Sequence, residues 1–403
     1  MSEKKLNITI VISWSIFGKK GGAERVLCNL SNELIKRGHN ITILCADKIV
    51  GTLSYPLDER VNVISYGSFA CPIFLSEKFR KLRTFFYPRP LRRAYRRRLE
   101  LEAKTVLLRK CLPSDSIDVF LTFSPFATYI LKKAIGLHST IPVITMIHTI
   151  VESAIEEMFP TSPGKLTPDI SKIRQKEETK KLFEEFIAVV TSSDAIQVLR
   201  PEFVDVAKGI FPTRSIICIP NSVLQCESSS NLLHKTVINV GRICKVKRQH
   251  LLIEAFKFLH IKYPEWNLEL WGDYSDKSYA DYLRRLIESL NLSSCVKLCG
   301  STNNIQKELE RASIFAFPSE FEGFGLALTE AMALGLPVIG CKKCLAVNTI
   351  IRDGKNGFLC DDTPEGLAEA LSRLMSDESL RARLGRVAKD VDSKTKCNRV
   401  AVA

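Results

Sequence analysis

Residues 7–46 read NITIVISWSIFGKKGGAERVLCNLSNELIKRGHNITILCA, with an amphipathic stretch between two short apolar runs. The runs NITIVIS (7–13) and NITILCA (40–46) are rich in β-branched residues, which favour strands. AERVLCNLSNELIKRG (23–38) has apolar residues at helical spacing and ends at a glycine, so it predicts an amphipathic helix. Since a helix commonly joins two parallel strands, the stretch predicts a βαβ unit.

The alternation of strand and helix continues in two series along the chain. Further strands of the first series are predicted at VFLTFS (119–124), VITMIH (143–148), FIAVVTSS (186–193) and IICIPN (216–221). Strands of the second series are predicted at VINVG (237–241), NLELWG (267–272), VKLCG (296–300), IFAFPS (314–319) and PVIGC (337–341). Helices are predicted near 250–263, up to Leu290 and from about 326.

These two series predict the fold class α/β, with two Rossmann-like domains that face each other across a cleft. The length of 403 residues agrees, because single hydrophobic cores stop growing beyond roughly 250–300 residues. The predicted divisions are a first domain at 1–225, a polar linker at 226–236, a second domain at 237–385 and a C-terminal tail at 386–403. Ligands of such sheets bind at the carboxyl ends of the strands, which places the predicted site in the cleft.

The net charge of +14 is concentrated in one segment. Residues 78–110 contain thirteen Lys and Arg against Glu100 and Glu102, a net charge of +11. We predict a long helix after Pro90 whose cations face an anionic membrane surface and the phosphates of an acceptor. The residues assigned to this role are Arg92, Arg93, Arg96 and Arg97. A solubilising surface helix and a nucleic-acid-binding helix are the alternatives; no nucleic-acid-binding motif is present, so no nucleic acid partner is expected.

The thirteen cysteines are an odd number scattered over the chain, and no signal peptide precedes them. This usage is typical of reduced thiols in a cytoplasmic protein. Cys341 and Cys344 form one CxxC, and without a second pair no metal site is expected. No apolar run approaches about 18 residues, the length of a membrane-spanning helix. The predicted location is the cytoplasm, peripheral to the inner face of the cell membrane.

Two predicted strand ends carry groups suited to phosphates. KKGGAER follows the first strand and opens a helix, where the backbone N–H groups of Gly21 and Gly22 can approach an anion. VGRICKVKR follows the first strand of the second series, and Arg242 with Lys247 can clamp a diphosphate. A plain glycine turn and a basic loop without a ligand are the respective alternatives.

The third strand end, SEFEGFGLALTEAMALGLPVI (319–339), places carboxylates on both sides of a Gly-Phe-Gly turn. Gly323 and Gly325 permit close approach of the backbone at a helix N-terminus. Glu330 lies inside that helix and Glu322 stays in the loop. Both carboxylates can accept hydrogen bonds from paired hydroxyls such as those of ribose. The segment therefore predicts glycines for backbone access and acids for sugar hydroxyls.

EGFGLALTE resembles the E-x7-E motif of retaining glycosyltransferases that have the GT-B fold, in the large sequence family numbered four. Other segments resemble family signatures in order over nearly the whole chain: GGAERV, IPNSV (219–223), VGRICKVK (240–247), LWGDY (270–274), GLPVIG and IRDGKNGFL (351–359). KKCLAVNTIIRDGKNGFL resembles the branch that extends lipid-diphosphate-linked glycans, including bacterial N-acetylgalactosaminyltransferases.

The resemblance implies a retaining enzyme that moves a hexose or N-acetylhexosamine from a nucleotide sugar, expected to be UDP-linked, to a lipid-linked glycan precursor. It implies catalytic roles for Glu322, His148, Arg242 and Lys247. The implied donor-binding residues are Gly21, Gly22, Arg242, Lys247, Glu322, Gly323, Phe324, Gly325 and Glu330. No cofactor and no metal are expected, because the two cations take the charge of the leaving diphosphate.

The chain departs from the family pattern at Ser222 and Tyr274, where glycine is usual, and at Thr349, where glutamate is common. Its C-terminal SKTKCNRVAVA does not resemble the aromatic helix that usually closes the family's chains. A nucleotide-sugar epimerase or a hydrolase of the same fold is the alternative enzyme, since glycoside hydrolases also use paired carboxylates. A hydrolase would leave Arg242 and Lys247 without a role, and an epimerase would not require the basic helix.

Overall fold

A computed structural model of the protein describes residues 4–18, 21–46, 51–68, 89–113, 116–155, 158–159, 170, 173, 177–213, 215–222 and 228–394. Only the backbone is described for residues 89–98, 177–179 and 391–394. The chain divides into two compact units, Met1–Ile219 and Pro220–Ala403. Each unit is built on its own parallel sheet.

In the described part of the first unit, seven parallel strands lie in the order β3-β2-β1-β4-β5-β6-β7. The strands are β1 Asn7–Val11, β2 Asn40–Cys45, β3 Asn62–Ser65, β4 Val119–Thr122, β5 Val143–Met146, β6 Ala195–Val198 and β7 Ile216–Cys218. The α-helices are α1 Gly22–Lys36, α2 Arg89–Cys111, α3 Pro125–Ile135, α4 Glu177–Thr191 and α5 Glu202–Ile210. Val11 of β1 pairs with Leu44 on one side and Thr122 on the other.

In the described part of the second unit, six parallel strands lie in the order β10-β9-β8-β11-β12-β13. The strands are β8 Thr236–Val240, β9 Asn267–Trp271, β10 Val296–Gly300, β11 Ile314–Phe317, β12 Val338–Cys341 and β13 Gly357–Cys360. The α-helices are α6 Gln249–Lys262, α7 Lys277–Ser289, α8 Ile305–Arg311, α9 Leu326–Ala333, α10 Leu345–Asn348, α11 Pro364–Ser376 and α12 Glu378–Lys394.

Both sheets are buried on their two faces, as parallel sheets joined by crossover helices usually are. Successive strand residues point to opposite faces, and the cores follow that rule. Ile10 of β1 packs in one buried cluster and its neighbour Val11 in another. Val237 and Ile238 of β8 are divided in the same way. The near-continuous apolar runs of the sequence thus fill a layer on each side of each sheet.

The order of strands reverses direction once in each sheet. In the first sheet the chain moves outward from β1 to β3 and then starts again on the other side of β1 with β4. In the second sheet the reversal lies between β8 and β11. At such a reversal the loops leave in opposite directions and open a crevice at the carboxyl ends of the strands, where ligands of these folds bind.

One predicted strand is wrong. FIAVVTSS (186–193) is the C-terminal half of α4 and the residues just after it, and the strand follows as β6. A short β-branched run cannot be told from a buried helix by periodicity alone, and Phe186 and Val190 are buried four residues apart, as a helix requires. β3 and β6 were not predicted.

The C-terminal segment is helical further than expected. The predicted start of a tail at 386 falls inside α12, where Ala388 is fully buried. Lys389 of this helix donates hydrogen bonds to the carbonyl oxygen of Ser228 at 3.1 Å and to the hydroxyl of Ser229. Residues 395–403 of the atypical terminus, and 226 and 227 of the predicted linker, lie outside the described residues.

Candidate functional site

The reversal point of the second sheet gathers the residues predicted to bind phosphates and sugar. Arg242 and Lys247 lie in the loop after β8, and Glu322 lies in the loop after β11. The backbone N–H of Glu320 donates to the carbonyl oxygen of Val246 at 2.9 Å. The two loops are therefore joined directly at the crevice that the strand order creates.

Lys247 and Glu322 form an ion pair between Nζ and Oε1. Their side chains are only 16% and 12% exposed, so solvent ions screen the pair weakly. The ammonium also lies 5.4 Å from the centroid of the Phe317 ring. The lysine stem passes 3.6 Å from the point where a Cβ on Gly241 would lie. Arg242, in contrast, is exposed.

The glycine turn before α9 needs glycine at one defined position. Gly325 is the N-cap of α9 and has a φ of +84°, a left-handed conformation that glycine adopts without steric cost. Phe324 is buried and holds the turn to the core beside Gly323. Glu330 lies half-buried in the second turn of α9. The amides at the helix start carry the positive end of the helix dipole and suit an anion.

The loop after β8 also packs tightly on the loop after β9. Gly241 N–H donates to Trp271 O at 2.9 Å, and Ile243 N–H donates to Asp273 O at 2.8 Å. A Cβ on Gly272 would overlap the carbonyl oxygen of Gly241. A glycine at 272 is therefore required for the backbone of the cation-bearing loop to come this close.

Two residues of this edge were not predicted from the sequence. Arg248 and Asp362 form an ion pair at 3.1 Å with side chains 14% and 7% exposed. The Nε of Arg248 also donates to the carbonyl oxygen of Pro318 at 2.8 Å, and Nη2 donates to that of Ser319 at 3.4 Å. The sequence signal for Arg248 was only that a further cation follows Lys247.

The cysteines of the CxxC do not act as a pair. Cys341 is buried and hydrogen-bonded to Cys360 on the neighbouring strand, which raises the pKa of its thiol. Burial, and next the charge of Glu322, raise the pKa of the Cys344 thiol to about 11, so it stays protonated at neutral pH. Within the described residues, no group of three or more His, Cys, Asp and Glu is placed to hold a metal ion.

A second candidate crevice lies in the first unit, at the reversal point of its sheet. A pocket of about 180 Å³ is formed there by the residues that follow β1, β4 and β5 and by the start of α1. Trp14, Ala23, Ser124, His148 and Ser153 are among its walls. The structure thus places an aromatic and hydroxyl-lined pocket where the strand order predicts a ligand site.

Two of the predicted elements meet around this pocket. The His148 ring stacks on Phe123, with ring centroids 4.4 Å apart and planes inclined by 24°. Both imidazole nitrogens are shielded from solvent, so a direct contact with a reacting sugar requires this wall to rearrange. Gly21 is the extended N-cap of α1 and Gly22 is its first residue, immediately before the pocket residue Ala23.

The four arginines assigned to a membrane surface lie in the first half of α2, and their side chains lie outside the described residues: Arg92, Arg93, Arg96 and Arg97. The second half of α2 is tied to the core through buried Leu101 and Leu108. Lys104 pairs with Glu100 at 3.5 Å and lies 5.1 Å from the centroid of the Phe126 ring. Lys104 is therefore occupied within the protein.

Two family models divide the chain between them. The one described as Glycosyltransferase Family 4 matches residues 20–221, half of the chain, and the one described as Glycosyl transferases group 1 matches residues 227–391. The chain belongs to glycosyltransferase family 4. It is accordingly a glycosyltransferase, and the glycine loop, the cation-bearing loop and the EGFG segment all lie within the matched ranges.

Curated relatives agree with the family. An uncharacterized glycosyltransferase of Haemophilus influenzae is 26% identical over 369 residues, which cover 90% of this chain and 89% of the relative. A Campylobacter jejuni protein is 32% identical over 151 residues, 37% of this chain and 40% of the relative. Its name is N-acetylgalactosamine-N,N'-diacetylbacillosaminyl-diphospho-undecaprenol 4-alpha-N-acetylgalactosaminyltransferase.

Among solved structures, TarM of S. aureus, in complex with fondaparinux, alpha-GlcNAc-glycerol and UDP, aligns with a TM-score of 0.70. The alignment covers 96% of this chain and 97% of TarM at 16% identity, so it shows the fold. The two parallel-sheet, Rossmann-like units are those of the GT-B fold, as the sequence predicts. In the described part of the chain, no helix has the length and apolarity needed to cross a membrane.

Proposed function

We propose that this glycosyltransferase moves a sugar from a uridine diphosphate sugar to a hydroxyl of a lipid-linked glycan precursor, with retention at the anomeric carbon. The observation that carries the proposal is the edge of the second sheet, where Lys247, Glu322 and exposed Arg242 meet at the reversal point. Cations suit a leaving diphosphate and a carboxylate suits sugar hydroxyls.

The chemistry needs a place for negative charge. As the bond between the anomeric carbon and the phosphate oxygen breaks, the diphosphate gains charge and the sugar becomes cationic. Lys247, Arg242 and the amides at the start of α9 would hold the leaving group, and preorganised donors of this kind are each worth about 3 kcal/mol. The acceptor hydroxyl then attacks from the leaving-group face, and a phosphate oxygen takes its proton.

Glu322 and Glu330 would bind hydroxyls on the donor. Glu322 shares the crevice with Lys247 and is assigned to the transferred sugar, with the backbone of Gly323, Phe324 and Gly325. Glu330, further along α9, is assigned to the ribose. The UDP bound to TarM supports uridine as the carrier, and the name of the Campylobacter relative supports a diphospho-lipid acceptor and an N-acetylhexosamine.

The pocket of the first unit is assigned to the acceptor, with Trp14 and the stacked His148 as its walls. The basic first half of α2 is assigned to the anionic membrane surface at which such an acceptor resides. Because cations of the protein take the leaving charge, we propose that transfer needs no metal.

A screen of nucleotide sugars by thermal unfolding tests the donor, since a ligand that binds the folded state raises Tm by mass action. We expect UDP-sugars, and UDP alone, to raise Tm, and GDP- and ADP-sugars to leave it unchanged. With the best donor and an undecaprenyl-diphosphate oligosaccharide, product should form at the same rate with and without EDTA and keep the donor's anomeric configuration by NMR.

Arg242→Ala should weaken UDP binding at least tenfold, since it removes a charge-assisted contact worth about 1.5–3 kcal/mol. Arg285→Ala, an exposed arginine on α7, is the matched control and should bind as the wild type does. Absence of binding to every nucleotide sugar would contradict the proposed donor, and turnover lost in EDTA and restored by magnesium would contradict the metal-free step.

A further inference from the structure

Arg248 has a backbone conformation that is unusual for its residue type. Its φ is +49° and its ψ is +38°, in the left-handed region. This region crowds a Cβ against the neighbouring carbonyl, and glycine occupies it freely. Non-glycine residues held there tend to lie at functional sites, where surrounding contacts fix them. The contacts that fix Arg248 are therefore informative.

Those contacts join the ends of four strands. The guanidinium, starting from the loop after β8, donates to the carbonyl oxygens of Pro318 and Ser319 after β11. It also donates twice to Oδ2 of Asp362, which follows β13. The other oxygen of Asp362 accepts from the backbone N–H of Lys343, after β12, at 3.4 Å. A single side chain thus links the loops around the whole reversal point.

The two loops that Arg248 connects carry the charged pair of the site. Lys247 precedes Arg248 directly, and Glu322 follows Ser319 by three residues. The backbone bond from Glu320 to Val246 crosses between the same loops. Removal of the guanidinium leaves that bond and the Lys247–Glu322 pair as the described hydrogen-bonded links from the 242–248 loop to the 318–325 loop.

We propose that Arg248 is a positioning residue, whose guanidinium fixes the loop after β8 against the loops after β11 and β13 and so aims Lys247 at the leaving diphosphate. The inference rests on the proposed function for its consequence, but its structural part stands on the contacts alone. Groups that hold a transition-state charge act only when they are fixed beforehand, and a misplacement of about 1 Å can cost about 100-fold in rate.

Replacement by glycine separates this role from a purely structural one. Arg248→Gly removes the guanidinium and also removes the steric cost of the left-handed backbone, so the loss of contacts is partly offset and the fold is kept. Asn291→Gly is the matched control, because Asn291 is an exposed residue of the same unit with a φ of +54°. Asp362→Asn tests the other end of the ion pair without removing the side chain.

Hydrogen exchange measures the positioning without any substrate. In Arg248→Gly we expect the amides of residues 318–325, Glu320 among them, to exchange at least tenfold faster than in the wild type. Asn291→Gly should leave that segment unchanged. Equal exchange in Arg248→Gly and wild type would overturn the proposal, whatever the enzyme's substrate is.

Kinetics with the UDP-sugar then measure the consequence. Arg248→Gly and Asp362→Asn should lower kcat about 100-fold and change KM much less, because misplacement acts mainly on the step in which charge develops. Asn291→Gly should have wild-type kcat. If the wild type neither binds nor uses a nucleotide sugar, the proposed function fails and the exchange result alone decides the role of Arg248. If the wild type turns over and Arg248→Gly matches it, the positioning role is wrong.

Discussion

Glu322 has two different partners to satisfy at one place. In the structure it neutralises Lys247, and in the proposed reaction Lys247 turns to the diphosphate while Glu322 binds sugar hydroxyls. Both side chains are mostly buried, so neither can rely on water when the partner leaves. The ion pair therefore keeps the cation in place before the donor arrives, and the hydroxyls of the sugar replace the ammonium at the carboxylate afterwards.

This exchange of partners predicts opposite effects of Glu322→Gln on binding and on transfer. Loss of the carboxylate removes a negative charge beside the diphosphate, so UDP should bind about fivefold tighter, the equivalent of about 1 kcal/mol for two charges about 4 Å apart in water. Transfer should fall at least tenfold, because hydrogen bonds from the sugar to a charged acceptor are lost. Calorimetric titration with UDP and a rate assay measure the two effects.

Glu288→Gln, at an exposed position on α7, makes the same change in net charge and should alter neither quantity. The gain in UDP affinity of Glu322→Gln should also shrink in high salt, where charge interactions are screened. Weaker UDP binding in Glu322→Gln would show that the carboxylate helps to hold Lys247 for the nucleotide and does not compete with it.

At the scale of elements, the site depends on how closely loops after neighbouring strands approach. Gly272 N–H donates to Gly300 O at 2.8 Å, and the same glycine lies against the backbone of Gly241. The loops after β8, β9 and β10 are thus packed backbone to backbone. This packing fixes the base of the 242–248 loop, at whose far end Arg248 makes its contacts.

Gly272→Ala should therefore lower the free energy of unfolding of the second unit by about 1–3 kcal/mol, as overpacking of a filled site does. Gly209→Ala, in α5 of the first unit, has no atom within 4 Å of the new Cβ. It should raise stability by about 0.5–1 kcal/mol, since alanine is the better helix former. Urea unfolding followed by a fluorescent probe in each unit measures both changes. Equal stability of Gly272→Ala and wild type would contradict the close approach of the two loops.

Much of this arrangement could be predicted from the sequence, and the exceptions have physical reasons. The strand ends at VGRICKVKR and SEFEGFG were placed correctly, because apolar runs end where the loops begin and parallel strands share a carboxyl edge. The pairing of Lys247 with Glu322 was not predicted, since it depends on β8 and β11 being neighbours although 73 residues separate Val240 from Ser313 in the chain.

The role of Arg248 was beyond sequence reasoning for a related reason. Its partners Pro318, Ser319 and Asp362 lie 70, 71 and 114 residues away, and nothing in a run of cations shows which one turns inward. Its left-handed φ is likewise set by these tertiary contacts. Local pattern located the loop, and only the sheet order determined what the loop touches.

For the whole molecule, the distribution of charge is the feature that the fold alone does not require. The net charge of +14 is dominated by residues 78–110, part of which forms α2. The described second half of α2 is built into the first unit, where Arg109 donates to the carbonyl oxygens of Ala134 and Lys133 at 2.9 and 3.1 Å. The cations of the first half are therefore carried on a helix that the core already holds in place.

Such a fixed set of cations should bind an anionic membrane reversibly. Each cation near the surface contributes about 1 kcal/mol, within a Debye length of about 8 Å at physiological salt. Replacement of four arginines by glutamine should abolish co-sedimentation with vesicles that contain 30% anionic lipid, written as an order-of-magnitude choice of roughly one lipid in three, and leave UDP binding unchanged. The four are Arg92, Arg93, Arg96 and Arg97.

A second quadruple variant separates a local surface from overall charge. It replaces four exposed cations of the second unit by glutamine: Arg285, Lys297, Lys307 and Lys355. The change in net charge is the same, so a molecule attracted only by its total charge would lose vesicle binding equally in both variants. We expect the second variant to sediment as the wild type does and to use lipid-linked acceptor at the wild-type rate. The α2 variant should use that acceptor more slowly and a soluble, lipid-free acceptor normally, because the reaction step is intact and only the encounter at the surface is lost. Continued sedimentation of the α2 variant at physiological salt would show that these arginines do not hold the enzyme to the membrane.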